Sequence, residues 1–218
     1  MDERLGAAKE GAWGEVAAID AAYAAGEIDD AGWHAVMAGL VVPAYLTAKT
    51  PEAGSGSSRD AGGWEYARSL LAEAVQPGWT FLDVGCANGH LMVSMARWAG
   101  VEPYGLDISS DLADLARRRL PQWADRIWTG NAADWTPPRR FDAVRTGLEY
   151  VPPDRGRDLV EHLLGSCSRL VVGVFNEERD ERRREAEIAA WGFSIAGRAE
   201  RSHSNPHLAY RAFWLDAQ

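Results

Sequence analysis

From residue 64 onward, short apolar runs alternate with helix-like stretches, and this alternation constrains the fold more than any other feature of the chain. "WEYARSLLAEAV" stops at Pro77 and Gly78, and "TFLDV", "EPYGLDI", "DRIWTG", "FDAVRTG" and "SRLVVGVF" each read as a strand. Helix patterns run from about Gly89 to Trp98, then through "SSDLADLARRRL" with Ser109 or Ser110 as cap, "PDRGRDLVEHLL" and "ERDERRREAEIAAWG". Strands alternating with helices pair in parallel through right-handed crossovers, with helices on both faces. The last two runs, "FSIAGRAERS" and "LAYRAFWLDA", are separated by a short loop with Asn205 and Pro206, so they pair as a hairpin at the sheet edge. The expectation is an α/β fold: a doubly wound, mostly parallel, seven-stranded sheet with a C-terminal antiparallel hairpin.

The first 63 residues are different. Trp13, Val16, Ile19 and Tyr23 recur at helical steps, predicting an amphipathic helix over residues 3–25 despite Gly6, Gly11 and Gly14. A second helix runs from the caps Asp29 and Asp30 to about Leu40, with Pro43 just past its end. "TAKTPEAGSGSSRDAGG", residues 47–63, is too polar and flexible for an element, and loops of that kind are lids or tethers. Its place directly before the helix leading into the first strand favours a lid. The chain thus divides into a helical cap and Gly/Ser-rich lid over 1–63 and a ligand-binding domain over 64–218.

Composition narrows the partners. With 46% hydrophobic and 25% charged residues the chain is of the soluble globular kind. A net charge of -9, with no long run of Lys or Arg, disfavours nucleic acid, which needs clustered positive charge. The "RRR" at 182–184 sits among acidic residues and reads as a solvated helix face, with Glu178 facing Arg182 and Asp180 facing Arg184. Cys86 and Cys167 build neither a disulfide framework nor a metal site, which suits a cytoplasmic location. "MDERLGAAKEGAWGEV" lacks a basic segment followed by an apolar core, and no apolar run of about 18 residues occurs, so neither secretion nor membrane spanning is expected. In "HSNPH", Pro206 opposes a helix and no acidic neighbour completes a ligand set for His203 and His207, so no metal is expected.

The chemistry concentrates in "FLDVGCANGHLM", residues 81–92. In an open parallel sheet the ligand lies beyond the carboxyl ends of the strands. Gly85 can take the positive φ of a tight turn, and the following helix would present unpaired N–H groups to an anion. A dinucleotide loop, G-x-G-x-x-G, would place Ala87 and His90 at its second and third glycines, and His90 is a poor fit. Asp83, just before the turn, suits a cationic ligand better than a pyrophosphate. Asp107 ends the second strand, where a carboxylate accepts both hydroxyls of a ribose.

These residues resemble the class I S-adenosylmethionine-dependent methyltransferases. "FLDVGCANG" is similar to their first motif, "YGLDIS" to their ribose-binding strand end, "GNAADW" to their adenine loop and "FDAVRTGLEYVP" to their fourth strand and substrate-facing loop. The resemblance covers roughly residues 64–216 and implies S-adenosylmethionine as cofactor, with S-adenosylhomocysteine as product. Carried over, Asp83 holds the methionyl amino group and the backbone of Gly85 lies against the methionine moiety. Asp107 binds the ribose, the Ala132 N–H meets the adenine ring and Asn131 accepts from its exocyclic amine. The expected cofactor wall also takes in Cys86, Ala87, Gly89, Ile108 and Thr146, with Trp135 flanking the adenine. Two departures stand out. Ala87 replaces a frequent glycine, tolerable because no pyrophosphate presses on the turn, and Asn131 replaces a common Asp while keeping an acceptor oxygen.

Methyl transfer needs alignment and exclusion of water, and a base only when the acceptor loses a proton. Glu149 is the first candidate for that base, followed by Tyr150, His203 and His207. Trp64, Tyr66, Asn176 and Glu177 are candidates for the acceptor pocket. The expected acceptor is a metabolite or natural product, as in secondary metabolism, and the oligomeric state is monomer or homodimer. Two alternatives stand beside this reading: an NAD-dependent oxidoreductase, and a non-catalytic partner subunit that keeps the cofactor fold.

Overall fold

The computed structural model describes residues 3–56 and 60–217, with side chains from Gly14 onward. The side chain of Trp13, and residues 57–59 of the segment expected to form a lid, therefore lie outside the described residues. Seven strands form one sheet: β1 (Thr80–Val84), β2 (Glu102–Asp107), β3 (Ile127–Thr129), β4 (Phe141–Thr146), β5 (Cys167–Glu178), β6 (Gly197–Ser202) and β7 (Leu208–Asp216). Their order is β3-β2-β1-β4-β5-β7-β6, and β7 runs antiparallel to both β5 and β6. The expected doubly wound sheet and terminal hairpin are present. β1 is buried at every position, as a central parallel strand covered on both faces must be.

The helices are α1 (Glu3–Ala24), α2 (Asp30–Leu46), α3 (Ala61–Arg68), α4 (His90–Ala99), α5 (Ser110–Arg119), α6 (Gly156–Leu164) and α7 (Arg183–Ala190). Several boundaries differ from the sequence expectation, each for a physical reason. α2 continues through Pro43 for another turn and is capped by Thr47, whose N–H and hydroxyl both donate to the Pro43 carbonyl. The proline forfeits one helical bond, while Val42 and Tyr45 on that turn reach the central cavity. α3 starts before Trp64 because Asp60 caps it, its Oδ1 accepting from Gly63 N at 2.8 Å, which offsets the weak propensity of Gly62 and Gly63. β5 is extended by its antiparallel partner, so Asn176 and Glu177 lie inside the strand, opposite Tyr210 and Ala209.

α7 begins at Arg183, several residues later than the pattern predicts. The buried Arg211 side chain takes the carbonyls of Glu178, Arg179 and Glu181, which a longer helix would have used itself. Glu177 Oε1 then accepts from Arg184 N at 2.9 Å. The expected Glu178–Arg182 and Asp180–Arg184 pairs are replaced accordingly: Arg182 bonds Glu185 at 2.8 Å and Arg184 bonds Glu187 at 3.1 Å.

The N-terminal helices pack on one another through Trp33 Nε1 donating to Asp20 (2.9 Å) and Tyr23 OH donating to Asp30 (2.8 Å). Arg155, in the segment after β4, ties α2 down by an ion pair to Asp30 at 2.9 Å. The loop after α2 lies on the turn that follows β1: Asn88 Nδ2 donates to Pro51 O at 2.8 Å, and His90 Nε2 is 3.5 Å from Glu52. Gly54 sits so close to Asn88 that a Cβ there would come within 2.4 Å of its amide nitrogen, so only glycine permits this approach. No helix among the described residues is long and apolar enough to cross a membrane.

Candidate cofactor and acceptor site

A cavity of about 570 Å³ opens beyond the carboxyl ends of β1, β2 and β4, within the size range of sites for drug-sized ligands. α2 closes it from above with Trp33, His34, Met37, Val41 and Tyr45. Of the residues singled out in the sequence, Asp83, Gly85, Cys86, Ala87, Asp107, Ile108, Asn131, Ala132, Glu149, Tyr150 and Trp64 line it.

The turn after β1 is held by its neighbours. Gly85 has φ +72 and its N–H donates to Leu106 O at 2.8 Å, locking the turn to β2. A Cβ on Gly85 would meet the Tyr150 ring at 2.8 Å. Ala87 also takes a left-handed backbone, φ 48, so the position that commonly carries glycine does adopt a glycine-favouring conformation. Its N–H donates to Asp107 Oδ2 at 2.8 Å, while Asp107 Oδ1 accepts from Ser109 N at 2.9 Å. Each carboxylate oxygen retains a lone pair beyond these bonds, and Asp107 lines the cavity. Burial raises the Asp107 pKa above the ordinary carboxylate range, and these two N–H donors oppose the shift. The first N–H of α4 is not free for a ligand, because His90 N donates to Asn88 Oδ1 at 3.0 Å. Asn131 spends one lone pair of Oδ1 on Ala133 N, at 3.0 Å.

Asp83 is 1% exposed, and burial raises its pKa to about 6 against the pull of Arg145. Arg145 stands opposite Asp83 in the β1–β4 pairing and places Nη1 3.4 Å from its Oδ1. The same guanidinium donates to Tyr150 OH (2.9 Å) and Gly173 O (2.6 Å). Burial works against its charge, yet Tyr150, Asp83 and Glu149 together hold its pKa above the ordinary value. Arg68, at the end of α3, also lines the cavity and donates to Val174 O at 3.0 Å. His34 joins α2 to the loop after β4, with Nε2 3.2 Å from Tyr150 O. Arg68, Arg145, Tyr45 and His34 are absent from the sequence-derived set. Only Arg145 carried a signal, the lone cation of a short strand that is otherwise mostly buried.

Eight expected site residues lie away from the cavity. Gly89, φ +74, serves helix packing, since a Cβ there would meet Leu120 at 2.6 Å. Thr146 is fully buried and donates to Gly147 O. Trp135 packs on Trp128 with ring centroids 5.4 Å apart and fills the space over Gly130. Tyr66, 49% exposed, faces Tyr210 and Arg201 on the outside of the sheet. Asn176 is exposed within β5, and Glu177 pairs with Arg211 at 3.1 Å. His203 and His207 lie in the turn between β6 and β7, at the far edge of the sheet. There His203 Nδ1 accepts from Asn205 N, and His207 N donates to Asn205 Oδ1. The hairpin pairs β7 with β5 and carries β6 outward, which takes this turn away from the mouth of the cavity.

The residues present fit an aminoacyl nucleoside. Two buried carboxylates stand at adjacent strand ends, one beside a glycine turn and one with lone pairs left for hydroxyls. Comparison with known proteins agrees. A family model described as a methyltransferase domain matches residues 81–168. Trans-aconitate 2-methyltransferase of Rhodopseudomonas palustris is 33% identical over 113 residues, half of this chain, and the chain spans 40% of that relative's length. Among solved structures, the N-methyltransferase NodS of Bradyrhizobium japonicum in complex with S-adenosylhomocysteine superposes with a TM-score of 0.56 at 13% identity, covering 82% of this chain and 97% of that one. The [4+2]-cyclase SpnF superposes at 0.57 and 16% identity, covering 74% and 84% respectively, so the fold by itself does not fix the reaction. Fold, motif and family match converge on one stretch: residues 81–168, which carry the first-strand turn and Asp107, are similar to a methyltransferase domain.

Proposed function

We propose that the protein transfers a methyl group from S-adenosylmethionine to a small-molecule acceptor. The observation that carries this is the pair Asp83 and Asp107, both buried, at the ends of neighbouring parallel strands and facing one cavity. Bound there, the cofactor supplies a methyl carbon made electrophilic by its sulfonium. Asp83 holds a cationic amino group, Asp107 takes the ribose hydroxyls through its remaining lone pairs, and Ala132 N–H and Asn131 meet the base. The residues that would hold the nucleoside end lie at the end of β2 and in the loop after β3, and the acceptor would enter from the β4 side. Glu149 lines the cavity there, its carboxylate folded back over Gly147, and is placed to take a proton from an acceptor hydroxyl or amine. The helical cap supports the alignment: Trp33, Met37, Val41 and Tyr45 exclude water, and the 47–56 segment lies against the first-strand turn as a lid. A metabolite-sized acceptor is in line with the trans-aconitate relative named above.

The test is a calorimetric titration with S-adenosylhomocysteine and with NAD, followed by transfer of labelled methyl from S-adenosylmethionine to a panel of metabolites. Binding of the first ligand and not the second is expected. For Glu149→Gln, turnover falls while cofactor affinity stays within about twofold. A wild-type protein without affinity for S-adenosylhomocysteine overturns the reading.

A further inference from the structure

His34, on the cap helix α2, faces two carbonyl oxygens. Its Nδ1 is 2.7 Å from Asp30 O, one turn back on the same helix, and its Nε2 is 3.2 Å from Tyr150 O in the segment after β4. A neutral imidazole carries one N–H, and its other nitrogen offers a lone pair. Because a carbonyl oxygen only accepts, a neutral ring would set that lone pair against one of the two oxygens. Only the imidazolium donates to both.

The residue at the far end of this contact is itself held fast. Tyr150 OH accepts from Arg145 Nη1 at 2.9 Å, and its ring lies so close to the first-strand turn that a Cβ on Gly85 would come within 2.8 Å of it. With its ring fixed, Tyr150 offers its carbonyl as a firm handle for α2. Glu149 precedes it and lines the cavity, so the same contact sets the position of the cap over the carboxylate placed to take the acceptor's proton. One turn earlier on α2, a second tie joins the same two elements: Arg155 reaches Asp30 at 2.9 Å, a pair that keeps its charges across the neutral range.

The titratable groups on the elements packed around His34 are few. Asp30 on its own helix accepts from Tyr23 OH of α1, and Asp20 of α1 accepts from Trp33, whose ring meets His34 edge-on at 5.1 Å. The segment after β4 adds Glu149, Asp154 and Arg155. Carboxylates are in the majority, which accommodates a cationic ring.

We propose that His34 and the Tyr150 carbonyl form a proton-dependent latch that holds the α2 cap over the acceptor half of the cavity. With the ring doubly protonated, both carbonyls are satisfied and the cap is fastened at its β4 edge. When one proton leaves to solvent, Nδ1–H keeps the shorter contact within α2 and the bond to Tyr150 is given up. That frees the edge from which the acceptor would enter. His34 is thus a positioning residue acting through Tyr150 and Glu149, and the purpose of the latch rests on the methyl-transfer reading.

Two measurements on the full chain test it. Ring 15N–1H correlations of His34, assigned through its contact with the Trp33 ring, are expected to show both nitrogens protonated at pH 6 and only Nδ1 at pH 8. Amide hydrogen exchange in α2, corrected for the intrinsic rate, should lose roughly fivefold or more in protection over the same interval. In His34→Gln, whose side chain does not titrate, α2 protection should change by less than about twofold. A ring that is neutral at pH 6 while α2 is protected overturns the latch. So does wild-type protection that stays level between the two pH values, or a loss that survives in His34→Gln. The ring measurement uses wild type alone and decides the matter even where the variant folds poorly. Neither measurement needs a ligand, so a wild type without affinity for S-adenosylhomocysteine would sink the methyl-transfer reading and leave the latch to stand or fall on its own result.

Discussion

On the β1–β2 side of the cavity, the polar groups come from residues at or just past strand ends: Asp83, Gly85, Ala87 and Asp107, joined by short backbone hydrogen bonds. On the β4–β5 side they come from long side chains reaching in from separate parts of the chain. Arg68 arrives from α3, Arg145 from within β4, Tyr150 from the turn after it and His34 from α2. The first side is local geometry, so its chemistry follows from the strand–turn–helix order. The second is tertiary, so its chemistry exists only after folding. If that contrast is correct, substitutions on the second side should damage stability and selectivity, and those on the first should damage cofactor affinity.

The largest effect is expected on the tertiary side. Arg145→Met leaves Asp83 buried without its nearest counter-charge, and breaking a buried pair from one side costs about 3–5 kcal/mol. The measurement is urea unfolding at pH 8, where Asp83 is ionised. Because protonation of Asp83 relieves the orphaned charge, the penalty should shrink toward pH 5. A loss below about 1 kcal/mol at pH 8 would mean that Arg145 is a solvated bystander.

Asp107→Ala probes the local side. It removes a charged acceptor for the ribose and also orphans the N–H groups of Ala87 and Ser109. Affinity for S-adenosylhomocysteine should drop more than tenfold by calorimetry, since hydrogen bonds to a charged group contribute roughly 1.5–3 kcal/mol. Unchanged affinity would break the comparison at its clearest point.

The two sides differed in legibility for the same reason. Asp83 and Asp107 were readable because a carboxylate ending a buried parallel strand has one place to go, the crevice beyond the sheet. The alternation that fixed the sheet was equally plain, since a central strand such as β1 must be apolar on both faces. Arg68 was hidden although its helix was expected, because only the packing of α3 against β5 brings its guanidinium to Val174 O and into the cavity wall. His34 gave no signal, as its role depends on α2 lying over Tyr150. The misplaced residues tell the same story in reverse. Asn176 and Glu177 were expected beyond a strand end, but β7 lengthened the strand under them, and the fully buried Arg211 captured Glu177. Trp135 follows the adenine-loop motif in sequence, yet its ring is spent on Trp128 and on the gap over Gly130.

A smaller effect separates binding from folding in one residue. Asp83 has its pKa raised to about 6. The ionised form holds a cationic amino group, so S-adenosylhomocysteine affinity should be flat near neutrality and decline below pH about 6, by no more than tenfold per unit. Folding carries the opposite sign. A carboxylate whose pKa is higher folded than unfolded favours the folded state below its unfolded value, and that contribution is lost as pH rises through about 6. Acidification from pH 7 to 5 should therefore weaken the ligand while raising the stability of wild type relative to Asp83→Asn. Parallel changes in both quantities would assign the titration to another group.

The smallest expected effect concerns Ala87, the residue that departs from the usual glycine. Holding an alanine at φ 48 costs roughly 1–2 kcal/mol relative to glycine. Against this, glycine loses about 0.5–1 kcal/mol more conformational freedom on folding. The Ala87 side chain is also 4% exposed, and a buried carbon of that size contributes about 0.8 kcal/mol. The opposing contributions cancel, so Ala87→Gly should alter stability by no more than about 0.5 kcal/mol, a Tm change of only about 1–2 °C in a chain of this size. Because the Ala87 N–H and its bond to Asp107 survive the change, cofactor affinity should hold within about twofold. Ala87→Val breaks the balance, since a β-branched side chain resists a left-handed backbone and adds volume against the cavity wall. Its Tm should fall while Ala87→Gly stays level, and equal behaviour of the two variants would mean that the turn relaxes out of its left-handed form and is not held there by Asp107.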